Sequence, residues 1–377
     1  MTSTASTASS PATSFALRRL DLVIEPDPKD PQEAEGILNP AAVRGPDGAL
    51  YLFPRLVARG NYSRIGIARV SFGAGGDPVG IERLGVALEP EAEYERRPDG
   101  GGCEDPRITY VEALRRYVMA YTALSADGPR IALAVSEDLL SWRRMGLATF
   151  SPYHHLSLSS VDDKDASFFP VAIPNPSGIP ELGLIHRPLF PGTRPEEIAG
   201  RADSREVDLH RESIWISYCE MALGERKRAR FGRFTAHHRL AAPVAPWEQL
   251  KIGGGTPPIL TRHGWLIVYH GVSEPAEGDD GVYGLRYSAG IMVLDRDHPR
   301  EIRYRSAQPV LTPASAQERS ETAKNVVFPT GIDRRVDLGL PDRYDVYFGI
   351  SDDRIGVACL DVPEHLPEDA VVGPRDS

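Results

Sequence analysis

The sequence predicts an all-β fold, a five-bladed β-propeller with a disordered N-terminal tail. Three observations lead there. Helical periodicity is hard to find, because 33 prolines and 35 glycines interrupt almost every window. Between these breakers lie short β-rich runs bounded by turn residues. Above the runs, one unit recurs five times: a polar opening that bears proline, a strand, a second apolar strand, and a strand rich in Ile, Ala and Val. A fixed-order repeat of three or four strands, at roughly 60–80 residues per copy, has the form of propeller blades. The competing all-β arrangement is a large sandwich.

The first copy opens on Asn39-Pro40-Ala41-Ala42 and continues through Ala49–Phe53 to Ile65–Val70. The second opens on Glu104-Asp105-Pro106-Arg107-Ile108, followed by Tyr117–Tyr121 and Ile131–Val135. The third opens on Lys164-Asp165-Ala166 and carries Leu182–Arg187 and Ile214–Tyr218. The fourth opens on Gly255-Thr256-Pro257-Pro258, with Trp265–His270 and Ser288–Val293. The fifth opens on Asn325–Pro329 and closes with Asp345–Gly349 and Ile355–Ala358. The expected division is a tail and lead-in over 1–30, one propeller domain over 31–365 and a C-terminal tail over 366–377. Residues 1–15 are rich in Ser, Thr and Ala, without the basic start or apolar core of a signal peptide.

In a propeller the strand that opens each blade lines the central channel, so its leading residues converge at one mouth. Asn39, Asp105, Asp165, Thr256 and Asn325 are expected to form one polar ring there. The stretch around Asp105 is the most informative. Glycines let the backbone pass close to a neighbour, and Pro106 holds the strand start stiffly and biases Asp105 towards an extended conformation. Two carboxylates at a concave mouth, Asp105 and Asp165, suit glycosidic bond chemistry, in which one group protonates the leaving oxygen. Arg64, Lys164, Arg187, Lys251 and His270 lie at strand ends and are expected to reach the same pocket. Cations concentrated in one site of an acidic protein point to an anionic substrate. Tyr62, Tyr110, Trp215, Trp265 and Tyr269 are candidates for stacking on sugar rings, or for packing.

The formal charge of −10 disfavours nucleic acid and anionic membrane as partners. No apolar run approaches membrane-spanning length. Cys103, Cys219 and Cys359 are too scattered for a disulfide framework or a zinc site, which fits reduced thiols in a cytoplasm. The pairs His154-His155 and His237-His238 lack metal spacing, and no metal ligand set is evident. Gly253-Gly254-Gly255 is not a phosphate-binding P-loop, and the basic run from Glu225 to Arg230 reads as a solvated turn.

These segments together resemble glycoside hydrolase family 130, the mannoside phosphorylases and mannosidases, over roughly residues 37–361. The likeness rests on Gly-Cys-Glu-Asp-Pro-Arg-Ile-Thr at 102–109, Lys-Asp-Ala at 164–166 and His-Arg-Pro at 186–188. It continues in the segment 247–259, in Tyr-His-Gly-Val at 269–272 and in Asn-Val-Val-Phe-Pro at 325–329. The resemblance implies a five-bladed propeller and an inverting phosphorylase that cleaves β-mannosides with inorganic phosphate, giving α-mannose 1-phosphate. Asp105 would be the general acid, passing its proton through the sugar 3-hydroxyl. Arg64, Arg187, Lys251 and His270 would bind phosphate. Asn61, Ser63, Arg107, Lys164, Asp165, His186, Tyr269 and Asn325 would bind substrate. Phosphate is then a co-substrate, with no cofactor and no metal; the partners are a β-mannoside or oligosaccharide, and a homo-oligomer is compatible. The alternatives are a β-mannoside hydrolase on the same scaffold, with Asp165 or Glu104 as base, or a non-catalytic carbohydrate-binding propeller. Two departures from the family pattern stand out: a charged insertion over 189–211 and Thr256 where proline or a small residue is expected.

Overall fold

A computed structural model describes residues 14–153, 157–190, 211–221, 231–274, 285–313 and 325–371. The expectations placed on residues 1–13, on His154-His155, on most of the 189–211 insertion, on the 225–230 run and on the last six residues lie outside these ranges. The described residues form strands, joined by turns and short 3-10 segments.

The N-terminal strand β1 (Ala16–Ile24) precedes four strands, β2 (Gly36–Arg44), β3 (Leu50–Ala58), β4 (Tyr62–Phe72) and β5 (Pro78–Leu88). These four pair in sequence order as an antiparallel meander. A second meander follows: β6 (Gly101–Val111), β7 (Arg116–Ser125), β8 (Gly128–Ser136) and β9 (Arg143–Leu147). A two-residue parallel pairing, Tyr62 with Gly101 and Ser63 with Gly102, joins the two meanders into one eight-stranded sheet. The third group is β10 (Thr149–Phe150), β11 (Asp162–Pro174), β12 (Pro180–Leu189), β13 (Ile214–Cys219) and β14 (Arg233–Ala241). The fourth is β15 (Lys251–Gly253), β16 (Ile259–Thr261), β17 (Gly264–Ser273), β18 (Arg286–Leu294) and β19 (Ile302–Arg305). The last is β20 (Val327–Arg334), β21 (Arg343–Ile350) and β22 (Arg354–Asp361).

The fifth group obtains its fourth strand from the other end of the chain. β1 pairs antiparallel with β22, Ala16 opposite Asp361 and Ile24 opposite Ile355. Residues 16–24 are therefore not a disordered lead-in, and the boundary expected at residue 31 moves upstream. The physical reason is burial: Phe15, Leu17 and Ile24 pack in the core, and β22 would otherwise be an open edge. Leu366 and Ala370, expected in the C-terminal tail, pack against the same core, and Ala370 bridges Ser306.

Five apolar clusters lie between successive groups. Phe53 and Ile65 pack on Met119 and Tyr121; Val118 and Leu133 on Phe168 and Leu184; Ile185 and Ile216 on Ile267 and Tyr269. Val268 and Ile291 pack on Val346 and Phe348, and Tyr347 and Val357 pack back on Leu50 and Leu52 of the first meander. The longer strands thus serve two clusters through their alternate faces, as Trp215 and Ile216 of β13 do. Cys103, Cys219 and Cys359 are all buried and unpaired in these layers.

The opening strands share one distortion. Register slips between Leu38 and Ala41 in β2, between Glu104 and Arg107 in β6, and between Lys164 and Ser167 in β11. At each slip an Asx residue takes positive φ: Asn39 at 45°, Asp105 at 45° and Asp165 at 59°. Asp105 is thus not extended ahead of Pro106. A bulge re-aims the side chain, and the short polar side chains of Asn and Asp tolerate the left-handed region best after glycine. β20 slips likewise between Pro329 and Gly331.

Candidate active site

The three re-aimed side chains Asn39, Asp105 and Asp165 line one cavity of about 760 Å³, together with Arg55, Asn61, Lys164, Arg187, Lys251, Tyr287 and Phe328. Two charge clusters organise its walls.

The first is built on Asp105, whose side chain is 12% exposed. Its Oδ1 accepts from Asn39 Nδ2 at 2.9 Å and lies 3.5 Å from Arg55 Nη1. Arg55 Nη2 pairs with Glu104 Oε1 at 2.8 Å, while its Nε donates to Ser63 Oγ at 2.8 Å and Nη2 to Asn61 Oδ1 at 3.2 Å. Burial works against the Arg55 charge, but Glu104, Asp105 and Asp352 more than offset it and hold the guanidinium firmly protonated. Arg107 Nη1 donates to the Asp105 carbonyl at 2.7 Å and Nε to the Gly255 carbonyl at 3.0 Å, so it ties the second opening strand to the fourth. Gly102 admits the close approach of β4: a Cβ there would stand 2.0 Å from the Ser63 carbonyl oxygen.

The second cluster is built on Asp165, which is buried. Arg187 Nε donates to Oδ2 at 2.6 Å, Arg107 Nη2 lies 3.5 Å from Oδ1, and His270 Nε2 lies 3.9 Å from Oδ2. Burial alone would raise the carboxyl; the guanidinium groups of Arg187 and Arg107 outweigh it and hold Asp165 well below the usual carboxylate range. Burial pushes His270 the other way, down to about 3, against the attraction of Asp165. The His270 ring is neutral, with Nδ1–H directed at the Gly254 carbonyl at 3.2 Å. Lys251 Nζ sits 5.5 Å from the Tyr287 ring centroid and 3.8 Å from Glu212 Oε2. Glu212 Oε2 also pairs with Arg187 Nη1. Gly253 is required here, since a Cβ would meet His270 and Asp165 at 2.3 and 2.4 Å.

The other expected site residues are distributed differently. Arg64 turns to Glu89, Nε to Oε2 at 3.0 Å, and is not among the residues that line the cavity. His186 is buried in a chain of hydrogen bonds, with Nδ1 2.7 Å from Asp163 Oδ2 and Nε2 2.7 Å from Ser217 Oγ, which in turn meets His237 Nδ1 at 2.7 Å. Tyr269 is buried, and its hydroxyl donates to Glu248, which pairs with Arg305 at 2.6 Å. Period 2 explains His186: its neighbour Arg187 lines the cavity, and adjacent strand residues point to opposite faces. Asn325 is buried beside the lining residue Val326, and its Oδ1 has no hydrogen-bond partner among the described residues. Thr256 is buried and accepts from the Val268 N–H at 3.1 Å, which fixes the turn that opens the fourth group. Trp215 and Trp265 pack in the core, whereas Tyr62 and Tyr110 are exposed.

Arg55, Tyr287 and Glu212 are the site residues that sequence reasoning passed over. Arg55 is a lone cation in the apolar run Leu50–Val57, next to Pro54, and that isolation was the available signal. Among the described residues, no group of three or more His, Cys, Asp or Glu side chains is placed to hold a metal ion, and no helix is long and apolar enough to cross a membrane.

Comparison with known proteins gives a consistent outcome. The sequence model of glycoside hydrolase family 130, described as beta-1,4-mannooligosaccharide phosphorylase, matches residues 16–367. A 1,2-beta-oligomannan phosphorylase from Thermoanaerobacter sp. strain X514 is 28% identical over 351 residues, 91% of this chain and 95% of that protein. A beta-1,4-mannooligosaccharide phosphorylase from Ruminococcus albus is 34% identical over 128 residues, 34% of this chain and 36% of that one. The solved structure of beta-1,2-mannobiose phosphorylase from Listeria innocua, in complex with beta-1,2-mannobiose, superposes with a TM-score of 0.65 at 20% identity, covering 92% of this chain and 96% of that one.

Proposed function

The chain belongs to glycoside hydrolase family 130, and from that premise we propose that it is an inverting phosphorylase of β-mannosides. The single observation that carries this reading is the placement of Asp105, Lys164, Arg187 and Lys251 on the wall of one cavity. A proton donor and an anion-binding cluster within one pocket are what phosphorolysis needs. Inorganic phosphate is already a nucleophilic anion, so no carboxylate base is required.

In the proposed reaction Asp105 gives its proton, by way of the sugar 3-hydroxyl, to the glycosidic oxygen as the bond from the anomeric carbon breaks. A phosphate oxygen attacks that carbon from the opposite face. The products are α-mannose 1-phosphate and the sugar released, and the proton shed by the phosphate monoanion restores the acid. Arg187 and Lys251 hold the phosphate; Asn39 and Arg55 set the Asp105 carboxyl; Asn61, Lys164, Tyr287 and Phe328 contact sugar. Both carboxylates considered as hydrolytic bases are engaged elsewhere, Asp165 by Arg187 and Glu104 by Arg55. The five groups of strands, with clusters in cyclic order, support a five-bladed propeller whose channel mouth is this cavity. Substrates are a β-mannoside or oligosaccharide and phosphate, with no resident cofactor, and three buried free thiols fit a cytoplasmic setting.

The test is incubation of β-1,2- and β-1,4-mannobiose with the protein, with and without phosphate. Phosphorolysis yields mannose 1-phosphate only when phosphate is present, and Asp105→Asn abolishes it by a factor of about 10²–10⁴. Equal release of free mannose without phosphate would establish hydrolysis instead.

A further inference from the structure

Every cation on the wall of the cavity except Lys164 is already matched, among the described residues, by a carboxylate of this chain. Arg55 has Glu104 and Asp105, Arg187 has Asp165 and Glu212, and Lys251 has Glu212. The pairing at Glu212 is the informative one. A single carboxylate oxygen, Oε2, faces both Arg187 Nη1 and Lys251 Nζ, as one oxygen of a bound phosphate would.

Glu212 is held there by its backbone. Its carbonyl accepts from the Ile252 N–H at 3.1 Å, which fixes it alongside β15, next to Lys251. Ser213 Oγ bonds back to the Arg211 carbonyl at 2.7 Å, and Arg211 Nη2 donates to the Gln249 carbonyl at 3.2 Å. The side chain is less confined than its partner: 17% exposed, against 6% for Arg187. Glu212 is not among the residues that line the cavity; it reaches the two cations from beside it. The main chain is anchored and the carboxylate has room to leave.

We propose that Glu212 competes with phosphate for Arg187 and Lys251, so that phosphate binds by displacing a carboxylate of the protein itself. This rests on the phosphorylase reading above and names the residue that sets phosphate affinity within it. A phosphate anion brought up to these two cations beside the Glu212 carboxylate meets direct like-charge repulsion in a partly desolvated site. Phosphate must therefore win donors from Glu212 rather than meet free ones. The arrangement weakens phosphate binding while leaving the sugar side untouched.

The experiment compares the full-length protein with Glu212→Gln and Glu212→Asp in two readouts. One is calorimetric titration with inorganic phosphate alone. The other is phosphorolysis of mannobiose, with KM measured separately for phosphate and for sugar. Competition predicts that Glu212→Gln tightens phosphate about tenfold in both Kd and KM, leaves the sugar KM within twofold, and that Glu212→Asp falls between. Weaker phosphate binding in Glu212→Gln would overturn the proposal and make Glu212 a positioning residue for the two cations. Unchanged phosphate binding would overturn it as well. Thermal unfolding of both variants identifies any loss that is merely misfolding. Absence of phosphate-dependent cleavage in the parent protein would count against the phosphorylase reading, whereas the calorimetric comparison judges the competition by itself.

Discussion

Asn39 Nδ2 donates to Asp105 Oδ1 at 2.9 Å, a hydrogen bond between two residues that both stand at positive φ on the bulges of two opening strands. Sixty-six positions separate them in the chain. The bond fixes the rotamer of the one carboxyl assigned to proton transfer. Asn39→Ala removes the donor and places a residue with a full Cβ penalty in the left-handed region. The two effects together cost about 2 kcal/mol of stability. The expected kinetic result is a kcat lowered about tenfold with phosphate KM unchanged, measured by mannose 1-phosphate release at saturating phosphate. A variant with wild-type kcat would remove Asn39 from the positioning of Asp105.

Asp165 neutralises Arg187 and Arg107 in a buried cluster. Asp165→Asn leaves Arg107 without its buried carboxylate and Arg187 with Glu212 alone, and is expected to destabilise by about 3 kcal/mol. The folded-state pKa is depressed, so this stabilisation is present above the ordinary carboxylate value of about 4 and is lost as pH falls towards the depressed value. The gap between parent and variant should be constant from pH 7 to about 5 and close only in strong acid. Urea unfolding at several pH values measures it.

His270 behaves in the opposite sense. Burial holds its folded pKa near 3, so between pH 6.5 and that value the unfolded chain binds a proton that folded His270 refuses. Its contribution to stability is complete above about pH 6.5 and declines as the solution is acidified. His270→Gln, which keeps a donor for the Gly254 carbonyl, should show a shallower decline over that window. His237, pushed down to about 4 by burial, retains its own share of the slope in both proteins. Identical slopes would show that His270 does not titrate in the unfolding equilibrium.

Tyr269 was expected at the substrate and is found against Glu248 and Arg305. Tyr269→Phe removes one buried hydrogen bond from Glu248, which keeps Arg305, and should therefore lower unfolding stability by about 1 kcal/mol. The sugar KM and kcat should stay within twofold of the parent. A large rise in sugar KM with unchanged stability would place the hydroxyl at the substrate after all.

Much of this was legible along the chain. The five openings and the strands that follow them emerge from local pattern, because proline, glycine and two-residue alternation act on neighbours in sequence. The outer strands β5, β9, β14 and β19 were not anticipated, since they are short or polar and their alternation is weak. β1 escaped for a different reason: its partner β22 is more than three hundred residues away, and nothing near it announces the pairing.

What sequence alone determined is therefore the repeating β architecture and the identity of the Asx residues Asn39, Asp105 and Asp165 that open three of its units. Only the tertiary structure decided which charges meet. Alternation along a strand sends His186 into the core and its neighbour Arg187 to the cavity, and the packing of separate sheets sets Glu212 against Arg187 and Lys251. Charge pairing depends on distance in space, and a one-residue shift in register reverses the face on which a side chain emerges.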